Sequence, residues 1–345
     1  GVAALALHLP SFFAVTVAVF AVVAFSGATH DIAADGVYMS ELSTGDQARY
    51  IGWQGAFYNL AKLVATGGLV WLAGWLYEGF SADGASSYDA SVGSWTVVLL
   101  ILCVTLVALG LYHLRALPSG GSASEGRSLR DGLSGLKEVV GAFFQKKHIW
   151  YYLGFIILYR LGEGFVMKIV PLFLKADTAS GGLGLTNQQI GLYYGTFGAG
   201  AFLLGSLLAG YYIAHRGLRR TLFILCCIFN IPFAVYALLA WLQPQSMWIV
   251  GGGIVLEYFG YGFGFVGLTL FMMQQVAPGR HQMAHYAFAS GIMNLSVMLT
   301  GAVSGYLSDA LGYGMFFLAV MLATVPAFLV TWFVPFTYDD KPNDK

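Results

Sequence analysis

Charge is what this chain most lacks. Only 10% of its 345 residues are Asp, Glu, Lys or Arg, while 58% are hydrophobic. A soluble domain carries about 25% charged residues, so this chain has too little polar surface to cover itself in water. Its formal net charge is zero, which removes the basic signature of a nucleic-acid binder. Cysteine is scarce as well. Cys103, Cys226 and Cys227 lie inside apolar runs, the last two adjacent, so neither a disulfide framework nor a metal spacing appears. They read as packing residues. No HExxH, no Gly-x-Ser-x-Gly elbow and no paired Cys/His set is present. An enzyme is therefore not expected, nor a metal or cofactor. The start, "GVAALALHLP", has no Met and no basic segment of a signal peptide; it reads as a truncated beginning.

Long apolar runs are what the chain has. Several reach the ~20 residues that span a bilayer as helix, whereas a β-barrel would show short alternating segments. The 45 glycines fit helices that approach closely in a membrane. The expected fold class is an all-α polytopic membrane protein. The spans fall at 11–38, 50–77, 94–114, 148–174, 188–212, 221–242, 247–276, 285–308 and 314–336.

The longest polar stretch separates the third span from the fourth. It begins Gly/Ser-rich and ends amphipathic: Leu129, Leu133, Leu136, Val139, Val140 and Phe143 share a face over 129–144. This suits a helix lying on the membrane surface, or equally a plain tether. The division predicted is a remainder of an N-terminal bundle (1–114), a linker (115–147), a six-helix C-terminal bundle (148–336) and a tail (337–345). With the linker in the cytoplasm, alternation places 13 of the 17 Lys and Arg on the cytoplasmic side and only Lys175 outside. Linker and C-terminus are thus expected to be cytoplasmic. Three spans before a long loop and six after it suggest a twelve-helix transporter of two halves with its first three helices missing.

Charges inside spans are costly and mark function or a specific partner. They are Asp31 and Asp35 in the first span, Lys62 in the second, Arg160, Glu163 and Lys168 in the fourth, and Glu257 in the seventh. Counted at ~1.5 Å per residue, Lys62, Arg160, Glu163 and Glu257 lie near mid-membrane. Asp31 and Asp35 lie nearer the cytoplasmic end. In "YRLGEGF", Arg160 and Glu163 stand at i and i+3 and can pair. Gly162 and Gly164 flank Glu163, where a helix bends or admits another backbone. Glu163 is thus either a cavity residue or half of a structural ion pair. Asp31 and Asp35, four residues apart on one face, either couple a proton or bind, or else have a hydrogen-bonding or packing role at the cytoplasmic end. Glu257 sits among Gly260, Gly262, Gly264 and Gly267, which make a thin, pliable helix. Tyr258, Tyr261, Asn59, Gln274, His285 and Asn294 complete the set as cavity liners, the tyrosine rings suiting the apolar faces of sugars.

The stretch "ATHDIAADGVYMSEL" (28–42) carries a small-x-x-Asp-Ile-x-x-Asp pattern. "GYYIAHRGLRR" (210–220) is a version of a G-x-x-x-D-R-x-G-R-R loop, and "EYFGYGFG" is followed by "HYAFASGIMNLSVMLTGAVSGYLSD". By these residues the chain resembles the major facilitator superfamily, in its branch of AmpG-type permeases and acetyl-CoA transporter relatives. The resemblance covers nearly the whole chain. It departs at His215, where the loop usually has Asp. What it implies is proton-coupled import of anhydro-muropeptides across a bacterial inner membrane by a monomer, with the family's membrane aspartates at Asp31 and Asp35. Partners would be a small-molecule substrate, protons and the lipid bilayer. Another sugar, an acyl-CoA-type cargo, or a sensor of the same fold that moves nothing stay open as alternatives.

Overall fold

The computed structural model describes residues 1–9, 12–118 and 129–338. Linker residues 119–128 and tail residues 339–345 lie outside the described part. Among the described residues the secondary structure is helical, with no strand. Besides two short helices, Val2–Ala6 and Asn187–Ile190, the helices are α1 (Phe12–Glu41), α2 (Thr44–Leu63), α3 (Val70–Ala82), α4 (Ser87–Ala116), α5 (Leu129–Phe144), α6 (Ile149–Tyr159), α7 (Leu161–Lys175), α8 (Gly198–Arg216), α9 (Leu218–Asn230), α10 (Ala234–Leu242), α11 (Met247–Phe271) and α12 (Gln282–Trp332).

Each of the nine windows predicted from sequence coincides with a helical stretch. Among the described residues, six helical stretches are long and apolar enough to cross a membrane by length and composition. Interruptions fall both inside and outside these six. A π-helical turn, Val64–Leu69, joins α2 to α3, and Arg160 breaks the rod between α6 and α7. The 51-residue α12 is two helices meeting at Gly312, whose φ of 70° and ψ of 160° are not helical. Pro232 sits in the 3-10 turn Ile231–Phe233 that joins α9 to α10; lacking an N–H, proline breaks the helical ladder there.

Several helices start before their apolar windows because a polar cap starts them. Ser43 accepts from Asp46 N at 3.2 Å and donates to its carboxylate at 2.8 Å. Ser86 and Asp89 repeat the arrangement at 3.1 and 2.6 Å. Each cap satisfies one orphan N–H group of the first turn, and the hydroxyl's bond to the carboxylate holds the cap in place. The turn in "AHRGLRR" rests on Gly217 at φ 80°, a left-handed value costly for any side chain.

The chain divides into two compact units, residues 1–37 with 57–125 and residues 38–56 with 126–345. The first unit packs α3 on α4. Within it His8 Nε2 meets Thr96 Oγ1 at 3.0 Å, and the rings of His30 and His113 stack at 5.7 Å. The second unit has the larger core. Tyr152, Phe155, Tyr159, Phe173, Phe229, Phe233, Phe271, Phe316 and Phe317 are fully buried there. Cys226 is free and buried.

In that core α11 is unbroken, and its glycines serve as contact points. A Cβ on Gly262 would overlap the Phe202 carbonyl of α8, and one on Gly264 would overlap Phe229 of α9. Both obstacles involve backbone or a fully buried ring, so neither can yield cheaply. The thin helix expected from the sequence is thus one whose missing side chains let two neighbours touch it.

Candidate functional site

The site is built where a helix is broken. α6 ends at Tyr159, α7 begins at Leu161, and Arg160 between them has φ −101° and ψ 8°. The ladder resumes at once, with Gly164 N bonded to Arg160 O at 3.0 Å. The side chain of Arg160 turns back along its own rod. Its Nε donates to Glu163 Oε2 and its Nη2 to Glu163 Oε1, a two-pronged pair. Arg160 is 5% exposed and Glu163 3%. Fork-on-fork geometry is the strong form of the arginine–carboxylate contact, and burial makes it obligatory, since either partner alone would be an uncompensated charge. The guanidinium also lies over the Phe265 ring, 5.1 Å from its centroid. Tyr261 meets the same Phe265 ring edge-on, 6.0 Å between centroids.

Gly162 and Gly164 bring the broken rod against α12. A Cβ at Gly162 would lie 2.6 Å from Thr324 Cγ2, and one at Gly164 would overlap the Thr300 hydroxyl. The two threonines come from the two arms of α12, on either side of its kink at Gly312. The glycines thus admit a neighbour, as the sequence allowed, and the bend itself falls at Arg160.

Glu257 stands on α11, 5% exposed. Tyr236 of α10 donates its hydroxyl to Glu257 Oε2 at 2.7 Å. Among the described residues no cation is within ion-pair distance of this carboxylate. Tyr194 and Tyr258 meet edge-on at 5.0 Å, and Tyr258 and Tyr261 at 6.4 Å. Glu163 and Glu257 are in electrostatic range of each other. The structure thus gathers buried Arg160, Glu163 and Glu257 with half-buried Tyr258 and Tyr261 into one group.

The other sequence-named residues lie elsewhere. On α1, Asp31 is exposed and Asp35 half-buried. Asn59 is half-buried on α2, and the side chain of Lys62 lies outside the described residues. Lys168 and Asn294 are exposed. Gln274 is buried and donates to the Thr44 carbonyl at 3.1 Å. His285 is buried and bonds the Val139 carbonyl at 3.2 Å. Sequence reasoning missed Tyr236 and Tyr194. The signal for Tyr236 was present: one hydroxyl in the apolar helix "AVYALLAWL", which when buried needs a partner.

Residues 156–345 match the profile of the Major Facilitator Superfamily. Over 314 residues the chain is 25% identical to the anhydromuropeptide permease of Escherichia coli (strain K12), covering 90% of this chain and 58% of that protein. It is 21% identical over 321 residues to an uncharacterized protein of Haemophilus influenzae, covering 90% of this chain and 70% of the other. A putative transporter AmpG 2 of Rickettsia bellii is 24% identical over 195 residues, 56% of this chain and 46% of that one. The chain therefore spans little more than half the length of the Escherichia coli relative.

Proposed function

Since the chain belongs to the Major Facilitator Superfamily, we propose that it is the greater part of a proton-coupled secondary transporter that imports anhydro-muropeptides by alternating access. The observation that carries the coupling is Glu257, a buried carboxylate inside a membrane helix whose hydrogen-bond donor is a neutral tyrosine. Arg160 and Glu163 cancel each other. Glu257 has no such counter-charge among the described residues.

A tyrosine hydroxyl serves both forms of such a group. It donates to the carboxylate, and it accepts from the carboxylic acid. A proton can therefore arrive and leave with the contact kept and its direction reversed. The two forms differ by a full charge, and a charge excluded from water is expensive. Protonation therefore biases any equilibrium between states that hydrate this carboxylate differently. Asp31 and Asp35 remain the aspartates that the family resemblance assigns to coupling or binding.

The cargo is proposed from the named relatives together with the site chemistry. Tyrosine rings such as Tyr258 and Tyr261 suit the apolar faces of sugars, and a cation such as Lys62 suits a peptide carboxylate, Arg160 being held by Glu163. The membrane proposed is the bacterial inner membrane, with linker and tail in the cytoplasm, on the Lys/Arg asymmetry. A monomer is proposed on family grounds.

The test is uptake by the full-length protein in proteoliposomes under an imposed proton gradient, with labelled anhydro-muropeptide. Gradient-driven uptake should be lost in Glu257→Gln while exchange of labelled for unlabelled cargo persists. Uptake indifferent to the gradient overturns the coupling. A folded protein that takes up no muropeptide overturns the cargo.

A further inference from the structure

The end of α5 and the residues just beyond it carry a density of contacts that the transport site does not use. Lys146 donates to three backbone carbonyls, Val276 at 2.6 Å, Ala277 at 3.0 Å and Pro278 at 2.7 Å. They lie at the end of the π-helical turn Met272–Val276 that closes the α11 rod and just after it, where a helix leaves its last carbonyls unpaired. An ammonium with three N–H donors matches three acceptors at that negative end. Glu138 pairs with Arg280 at 3.0 Å and lies 3.7 Å from His281 Nε2. The Val139 carbonyl accepts from His285 Nε2 at 3.2 Å, which puts the ring proton on that nitrogen. Phe143 closes the apolar side. It is 1% exposed, with its ring 5.4 Å from His285 and 5.5 Å from Phe288.

All of these contacts run from one stretch, 138–146, to one turn and its flanks, 276–288. That turn joins α11, which carries Glu257, to α12, whose Thr300 and Thr324 abut the broken rod. A shift of α11 against α12 has to pass through it. A linker that only tethers needs no ammonium over three carbonyls and no buried phenylalanine.

We propose that residues 138–146 are a clasp on the α11–α12 turn, which holds one state of the C-terminal bundle and has to open when the transporter changes state. The holding stands on the contacts alone; the opening rests on the transport reading above.

Two measurements on the full-length protein in nanodiscs separate these parts. In Lys146→Met, backbone amide exchange over 277–285 should quicken at least tenfold while the rest of the bundle is unchanged. Unchanged exchange overturns the clasp, whatever the cargo. Should that variant not fold, Glu138→Gln, a surface change, carries the same measurement. For the opening, Glu138→Cys with Arg280→Cys is joined by a reversible thiol cross-linker in a protein whose Cys103, Cys226 and Cys227 are Ala. Uptake should fall at least tenfold and return on reduction. Undiminished uptake by the cross-linked protein overturns the opening. A protein that takes up no muropeptide even before cross-linking refutes the cargo and leaves the clasp to the exchange result.

Discussion

Tyr236 and Glu257 form a donor–acceptor pair across two helices, with 2.7 Å from the hydroxyl to Oε2. Tyr236 is 1% exposed and Glu257 5%. Neither has water to fall back on, so each is the other's solvation. Tyr236→Phe keeps the ring and removes only the donor. It should destabilise the protein by about 1–3 kcal/mol, the cost of an orphaned buried polar group. In Glu257→Gln with Tyr236→Phe the two losses should not add; contact pairs couple by about 0.5–3 kcal/mol. Thermal melts of the four proteins in one detergent measure this. Strict additivity would mean that the pair is not coupled.

Arg160 and Glu163 make the second buried pair, and here asymmetry is the prediction. Removing one partner strands a charge, at about 3–5 kcal/mol. Removing both strands none. Arg160→Met and Glu163→Gln should each lower the melting temperature sharply, and the double variant should recover a large part of the loss. A double variant worse than either single would show that the break between α6 and α7 needs the pair itself.

How much of this was legible beforehand varies with the kind of signal. The Arg160–Glu163 contact was readable because both charges lie on one helix, where spacing alone sets geometry. The spans were readable because apolar length is a one-dimensional property. Partners on different helices were not. "AVYALLAWL" shows that Tyr236 needs an acceptor but not that Glu257 supplies it. Gln274 and His285 show the same limit. Both were named as cavity liners for their polarity, and both are tied to backbone carbonyls, of Thr44 and Val139. Residues 38–56 precede the linker in sequence yet cluster with the C-terminal unit. Gly52 explains part of this, since its Cα lies so close to the backbone of Ser206 and Leu207 that a Cβ there would collide. No local pattern announces a crossing of that kind.

The glycines separate into those that need to be glycine and those that do not. Gly164→Ala should destabilise the protein, because the new methyl group overlaps Thr300 and also comes 3.2 Å from Val297 Cα. Thr300→Ala should rescue it in part, since the hydroxyl leaves while the backbone stays. Gly291, on α12, has nothing within 4 Å of an added Cβ. Gly291→Ala should be neutral or stabilising by about 0.5–1 kcal/mol, through the reduced entropy of the unfolded chain. Melting temperatures of the three variants test the division, and equal losses at Gly164 and Gly291 would refute it.

Lys146 gives a prediction with a pH sign. Burial pushes its ammonium down from the ordinary 10.5 to about 8. Between those values the unfolded chain holds a proton that the folded chain has released. Stability from this site therefore rises with pH across about 8 to 10.5. Below pH 8 both states are protonated, and the site adds no pH dependence. Lys146→Met removes the titration. The melting-temperature gap between native protein and variant should be flat from pH 6.5 to 7.5 and widen from 8 to 10. The side chain is half-buried, so the widening will be smaller than a fully desolvated amine would give. The three carbonyls at 2.6–3.0 Å pull the other way, because a neutral amine has two N–H donors and cannot serve all of them. A gap that narrows above pH 8 would mean that those acceptors outweigh burial and that the clasp loosens on deprotonation.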